Sequence, residues 1–373
     1  MSVHRCPAGK PSLVTEPMHL RGIALPSEEA VEFWVRDGLL TDEPVPGATT
    51  VVDGGWLLPG LVDAHTHPGA EQPGDPLDAD LLRRHGREHL AAGVTLLRVP
   101  GSADRLPSWY GTEPDQPDVV SAGRWLGLPG MFYEGWARHV GEAELAGAAV
   151  QEALASGGWC KIYADWVVDE GGLDGPHLPA DRLAEATRRV HAAGGRVAVH
   201  TQTAEGARAA VEAGVDSVEH GLGLELDLLD RMAAQRTALV PTFTVWRTFE
   251  QVARASRSTR FRDWFRAAHA RLGPLVSAAY EAGVTVLAGT DSYGTAVLPH
   301  GRVSGEVHHL AAAPMPVAAA IGAASWTARC FLGFPCLEPG APAEVVAYGH
   351  DPRADPGVLG HPARIVHRGR LVR

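Results

Sequence analysis

Hydrophobic and polar positions divide the chain into three stretches of different rhythm. Up to residue 57, apolar and polar residues alternate in short runs, at Met18–Leu25, Ala30–Val35 and Thr49–Val52, with Pro, Gly and Asp between them. A period of two predicts strands joined by turns. From Leu61 the rhythm changes to short apolar runs that end in polar residues, each followed by an Ala-rich amphipathic segment. Eight strands are predicted: Leu61–His67, Val94–Val99, Arg124–Leu128, Cys160–Trp166, Arg196–His200, Ser217–His220, Ala238–Thr244 and Thr285–Asp291. Helices are predicted between them at Asp80–Ala92, Glu142–Ala155, Asp181–Ala193, Ala204–Ala213 and Phe261–Ala282. Gly93, Gly194, Gly214 and Gly283 stand where helices stop, the place where glycine relieves the left-handed turn. The tail returns to strands at Glu344–Tyr348, Arg364–His367 and Leu371–Val372. The expected fold is α/β: eight strand–helix units make a (β/α)8 TIM barrel over residues 58–330. A small β-sandwich domain is expected from residues 1–57 and 331–373.

Composition narrows the picture. The chain has 373 residues, 45% hydrophobic, enough for a barrel with its own core and a smaller unit beside it. The net charge of −11 comes with no cluster of basic residues, which excludes nucleic acid as the expected partner. No run of apolar residues is long enough to cross a bilayer, and MSVHRCPAGKPSLVTEP has no apolar signal core. Cys6, Cys160, Cys330 and Cys336 show no paired spacing, so reduced thiols and a cytoplasmic location are expected. Eighteen histidines exceed an ordinary structural need, most being expected at the surface.

The chemistry-bearing residues fall at strand ends. Residues i and i+2 of a strand share a face, so His65 and His67 of Asp63-Ala64-His65-Thr66-His67 point together into the barrel mouth. His200, His220 and Asp291 close three further strands, at the end where barrel enzymes place catalysis. Neutral imidazole and carboxylate suit Zn²⁺ and similar divalent ions. Lys161, inside the apolar strand Trp159-Cys160-Lys161-Ile162-Tyr163, is a costly cation for such a place. A depressed pKa, reaction of the neutral amine with CO₂ to give a carbamate, a reach to solvent, or pairing with Asp165 would each relieve it. Trp125, Trp136, Trp159 and Trp166 suggest either an aromatic pocket or packing of barrel against helices.

Together these residues resemble the amidohydrolase superfamily. LLPGLVDAHTH is similar to its opening signature. VAVHTQTAEGARAAVEAGVDSVEHGLGL is similar to the strand 5–strand 6 unit of its prolidase and imidazolonepropionase branch, LAGTDS to its strand 8 segment, and GAPAEVVAYGHDPRADPGVLGHPARIVHRGRLV to its closing β-sandwich segment. The resemblance implies two divalent metals, Zn²⁺ by default. His65, His67 and Asp291 would hold the more buried ion, His200 and His220 the second, and a carbamate on Lys161 would bridge them. WCKIY matches the branch's (F/W)xKI motif, whereas deaminase-like members keep one metal and lack this lysine. Two cations sharing a water lower its pKa towards neutrality. Asp291 would be both ligand and proton carrier for attack on a carbonyl. Strand 2 departs from the pattern: Arg98-Val99-Pro100-Gly101 lacks the branch's acid.

Expected substrate contacts are Tyr163, His139 and Arg138, with Arg98 as a further partner for a substrate carboxylate. The expected function is metal-dependent hydrolysis of an amide-type C–N bond in an N-acyl amino acid, dipeptide or cyclic amide. Lactone or ester hydrolysis, a mononuclear deaminase and a non-catalytic scaffold are the alternatives. The expected partner is a small molecule; the oligomeric state is open, a homo-oligomer included.

Overall fold

In a computed structural model of the chain, residues 16–72, 74–175 and 177–373 are described. Cys6 and most of the N-terminal segment read above for a signal lie outside them. Cys160, Cys330 and Cys336 are unpaired. No helix among the described residues is long and apolar enough to cross a membrane.

Strands from both ends of the chain join in one seven-stranded sheet. Its order is Arg370–Leu371, Arg364–His367, Val345–Tyr348, Thr49–Pro59, Met18–Ala24, Glu29–Arg36 and Leu39–Thr41. Period-two alternation does the expected work here: Leu20, Phe33, Val35, Val52, Leu57, Val345 and Val366 form a separate apolar cluster. Thr49–Pro59 is longer than the sequence pattern suggested. It runs parallel to Met18–Ala24 and antiparallel to Val345–Tyr348. Gly54 and Gly55, at φ of 98° and 79°, let it bend where its register shifts. A Cβ on Gly55 would collide with the Tyr348 carbonyl.

The middle of the chain alternates strand and helix, and its strand pairs are parallel. One sheet holds Leu61–Asp63, Val94–Val99 and Asp118–Ser121. Another holds Ala238–Val240, Ser217–His220, Arg196–Thr201, Trp159–Tyr163 and Trp125–Gly127, with the two-residue Arg138–His139 at its edge. Asp118–Ser121 had no counterpart in the sequence reading. It pairs with Val94–Val99, and the same stretch then reaches Trp159–Tyr163 through Trp125 and Leu126.

The strand expected at Thr285–Asp291 is not a regular one. Its ladder is carried by single bonds: Leu287 N to Leu239 O (2.9 Å), Ala64 N to Ala288 O (2.8 Å) and Asp291 N to His65 O (2.7 Å). At Thr290 the buried Asp63 carboxylate accepts from the backbone N–H (3.0 Å) and from Oγ1 (2.7 Å), replacing a strand partner. Burial pushes the Asp63 carboxyl up to about 7.

The strand expected to run to Thr244 stops at Val240. Thr242 turns the chain at φ 51°, and a helix the sequence reading missed, Phe243–Ala255, begins at once. Its first amides donate to the Glu306 carboxylate, at 2.8 Å from Phe243 N and 2.9 Å from Thr244 N. A carboxylate from a distant helix, Val303–Ala312, thus caps it and meets the positive end of its dipole. The other helices stand close to their expected places, and Gly93, Gly194, Gly214 and Gly283 all take positive φ at helix ends.

Candidate active site

Tight ladders hold the strand ends in place, and the residues that follow them leave regular geometry. His220 (φ 68°), Thr242 (φ 51°) and Asp291 (φ 54°) are non-glycine residues in the left-handed region, a strained state that surrounding contacts must hold. They turn His220 and Asp291 into a cavity of about 360 Å³, which His65, His67, His200 and Tyr163 also line.

The hydrogen bonds behind the imidazoles fix what they present to that cavity. His65 Nδ1 lies 2.7 Å from the Glu219 carboxylate, an acceptor only, so Nδ1 carries the proton and Nε2 does not. His67 Nδ1 donates to the Gly101 carbonyl at 2.9 Å, which in the neutral ring leaves Nε2 as the acceptor. Both Nε2 atoms face Asp291 Oδ1, at 3.5 Å and 3.1 Å. That oxygen is buried and has no hydrogen-bond partner, as is His200 Nε2. Three acceptors of His65, His67 and Asp291 therefore converge within 4.8 Å with no donor among them, an arrangement that a cation satisfies. His220 Nδ1 is 2.8 Å from Thr242 Oγ1, and its ring lies 4.4 Å from that of His200.

Electrostatics keep His65, His200 and His220 neutral. Burial, reinforced by nearby positive groups including Lys161, holds His65 and His200 well below the ordinary histidine range. Burial and the neighbouring histidines do the same for His220. Lys161 is 1% exposed, so it does not reach solvent. Burial lowers its ammonium to about 8, against the opposing pull of Glu219 and Asp291. Asp165 is not its ion-pair partner. That carboxylate accepts from Gln202 N (2.8 Å), Thr203 N (3.1 Å) and Thr203 Oγ1 (2.6 Å).

Arg98 is not at the substrate's disposal either. It is buried and donates to both Glu219 oxygens (2.7 Å each), Ser217 Oγ (2.8 Å) and the Ala64 carbonyl (2.7 Å). Burial alone would raise the Glu219 carboxyl, but Arg98 and Lys161 outweigh it and hold the group below its usual range. Glu219 thus joins Arg98 to His65 and sets that ring's tautomer. It escaped the sequence reading although it adjoins His220 in Ser217-Val218-Glu219-His220.

The three expected substrate contacts separate. Tyr163 lines the cavity, its ring stacked on Phe132 at 4.6 Å and tilted over His200 at 4.5 Å. Arg138 and His139 are not among the lining residues. Arg138 donates to Glu152 Oε1 (2.7 Å) and Gln151 Oε1 (2.8 Å) on the neighbouring helix, and His139 Nε2 lies 2.6 Å from the Met131 carbonyl. Among the tryptophans, Trp136 and Trp166 line the cavity, Trp125 stacks beneath Trp136, and Trp159 packs on Phe331 away from it. Tyr293, stacked on His67 at 4.9 Å, and Trp246, neither of which the sequence singled out, complete an aromatic wall.

Residues 56–369 match the model of the amidohydrolase family, and the chain belongs to that family. An uncharacterized protein of Mycobacterium tuberculosis is 39% identical over 355 residues, 95% of each chain. In fold the chain is similar to a Xaa-Pro dipeptidase with bound methionine in its active site (TM-score 0.80, 21% identity, 96% of this chain and 100% of that one). It is similar also to a prolidase described as putative from Bifidobacterium longum (TM-score 0.79, 22% identity, 96% and 95%). The likeness to these two structures is one of fold.

Proposed function

We propose that the chain is a metal-dependent hydrolase of amide-type C–N bonds, with its site at the mouth of a closed (β/α)8 barrel spanning residues 58–330. The described part of residues 1–57, together with residues 331–373, makes up the accompanying β-domain. The observation that carries the reading is the convergence of ligand atoms of His65, His67 and Asp291 within 4.8 Å of one another. His65, His67 and Asp291 would hold one divalent ion, Zn²⁺ by default, and His200 and His220 a second. Lys161, buried, lowered to about 8 and without an ion pair to Asp165, suits a carbamate that joins the two. When bound, the metals supply an acidified water and a Lewis acid for the carbonyl.

The remaining work falls to the chain. Asp291 takes a proton from the attacking water at its carboxylate and passes it to the leaving nitrogen. Tyr163, poised beside His200, donates to the oxygen on which charge develops. Glu219 and Arg98 hold His65 in one tautomer from behind. The aromatic wall keeps bulk water away from the reacting bond. The substrate is a small molecule, and the unpaired cysteines fit a cytoplasmic setting.

The test is hydrolysis of a panel of N-acyl amino acids, dipeptides and anilides before and after chelation. Chelation should abolish turnover and added Zn²⁺ or Mn²⁺ restore it. Turnover that survives complete metal removal would refute the reading.

A further inference from the structure

The cavity holds a charge pattern that selects among amides. This step rests on the cavity being the hydrolytic site. Apart from the histidines, its described lining has two ionisable groups of formal charge, Asp291 and Glu71, both acidic, and no lysine or arginine. Arg98 is committed to Glu219 and Arg138 to Glu152, Lys161 is buried and does not line the space, and Arg84 pairs with the lining Glu71. The walls are rings, with Phe132, Trp136, Trp166, Trp246 and Tyr293 around the opening. Phe132 sits at φ 60° and touches Tyr163, Trp166 and Trp136, at ring distances of 4.6, 5.0 and 5.9 Å, so the aromatic face is fixed in place.

We infer that the site takes an uncharged aromatic amide of the anilide type and rejects substrates with a free carboxylate on the leaving side. A carboxylate among these rings would lose its water and find no lysine or arginine in the lining. An aromatic ring there gains offset and edge-to-face contacts. The reaction balances with water alone. The C–N bond breaks, the water oxygen bonds to the carbonyl carbon, and the proton goes to nitrogen. The products are an acid, formed at the histidine end, and an uncharged arylamine that leaves along the aromatic wall. N-acyl amino acids and dipeptides, which carry the excluded charge, are then poor substrates.

The experiment pairs N-phenylbenzamide with its para-carboxy derivative on the metal-loaded, full-length protein. Binding is read from quenching of the fluorescence of the tryptophans in the wall, and hydrolysis from release of the arylamine. The neutral compound should bind and turn over at least about 30-fold better, equivalent to ~2 kcal/mol. In Val168→Arg, a lining residue outside the catalytic set, the guanidinium offers the missing partner, and the ratio should fall by about 10-fold. Equal or better binding of the carboxylate, no binding of either compound, or an unchanged ratio in Val168→Arg would overturn the inference. Binding of the neutral compound without hydrolysis would uphold the selectivity and count against the hydrolase reading. Efficient turnover of the carboxylate compound alone would do the reverse.

Discussion

Two groups of buried histidines lie on either side of Thr66, and they are built differently. In the first, His65 and His67 have Nδ1 tied to outside acceptors, so that both Nε2 atoms meet a carboxylate oxygen in an open cavity. In the second, the rings serve one another. His89 Nε2 lies 3.0 Å from His300 Nδ1, both approach Thr66 Oγ1 (3.4 and 3.1 Å), and His85 Nδ1 accepts from Gly69 N at 3.1 Å. Burial holds all three below the ordinary histidine range, His85 at about 4 and His89 at about 3. Burial does not distinguish the groups. What does is the direction of the second nitrogen: His65 and His67 turn theirs to one shared carboxylate oxygen, whereas His89 turns its own to another imidazole. The first group is arranged for a ligand, and the second braces helix Ala79–Ala91 against the segment around His300.

The largest expected effect is at Asp291, where two roles meet. Asp291→Asn should lower kcat/KM on any hydrolysed amide by at least about 10²–10⁴, read in steady-state assays with metal added. Activity within tenfold of wild type would remove Asp291 from the proton path.

Next is Glu219→Gln, which keeps shape but leaves Arg98 buried without its carboxylate and His65 without its charged anchor. Metal affinity should fall about 10- to 100-fold and stability by about 3–5 kcal/mol, measured by competition with a chelator and by denaturant unfolding. Unchanged metal affinity would separate Glu219 from the site.

The second cluster should respond to acid instead. A histidine held near 3 in the fold and near 6.5 when unfolded binds fewer protons folded. Its stabilising effect is therefore complete above pH 6.5 and is lost as pH falls towards 3. His89→Leu should flatten the fall of unfolding free energy between pH 7 and pH 4, by on the order of a few kcal/mol, with metal content unchanged. An unaltered slope would show that His89 does not drive that dependence.

The smallest effect is expected at Arg138, whose guanidinium serves Glu152 beside Arg105. Arg138→Ala should leave KM within about twofold and cost about 1 kcal/mol of stability or less. A large rise in KM would return Arg138 to substrate binding.

What the sequence made legible follows the same division. His65, His67, His200 and His220 could be read because each ends a short apolar run, where strand periodicity says which way a side chain points. Residues that act on them across the fold could not. Glu219 meets His65 across 154 positions of sequence, and Glu306 caps helix Phe243–Ala255 from 62 or 63 positions away. No local pattern announces such a cap, which is why a strand was expected through Thr244. Arg138 misled for the converse reason. Its loop is rich in groups suited to recognition, and only the packing of helix Glu142–Ala155 shows that Glu152 has claimed it. Asp118–Ser121 is four residues long and half-buried, too weak a run to register as a strand before its pairing with Val94–Val99 is seen.

The central claim, that the strand-end histidines, Asp291 and Lys161 form a metal-holding hydrolytic site, is tested most directly by elemental analysis of the purified protein beside Lys161→Ala. The account predicts about two divalent ions per chain in wild type and a clear loss on substitution. One ion or none in both proteins would contradict the lysine-bridged pair.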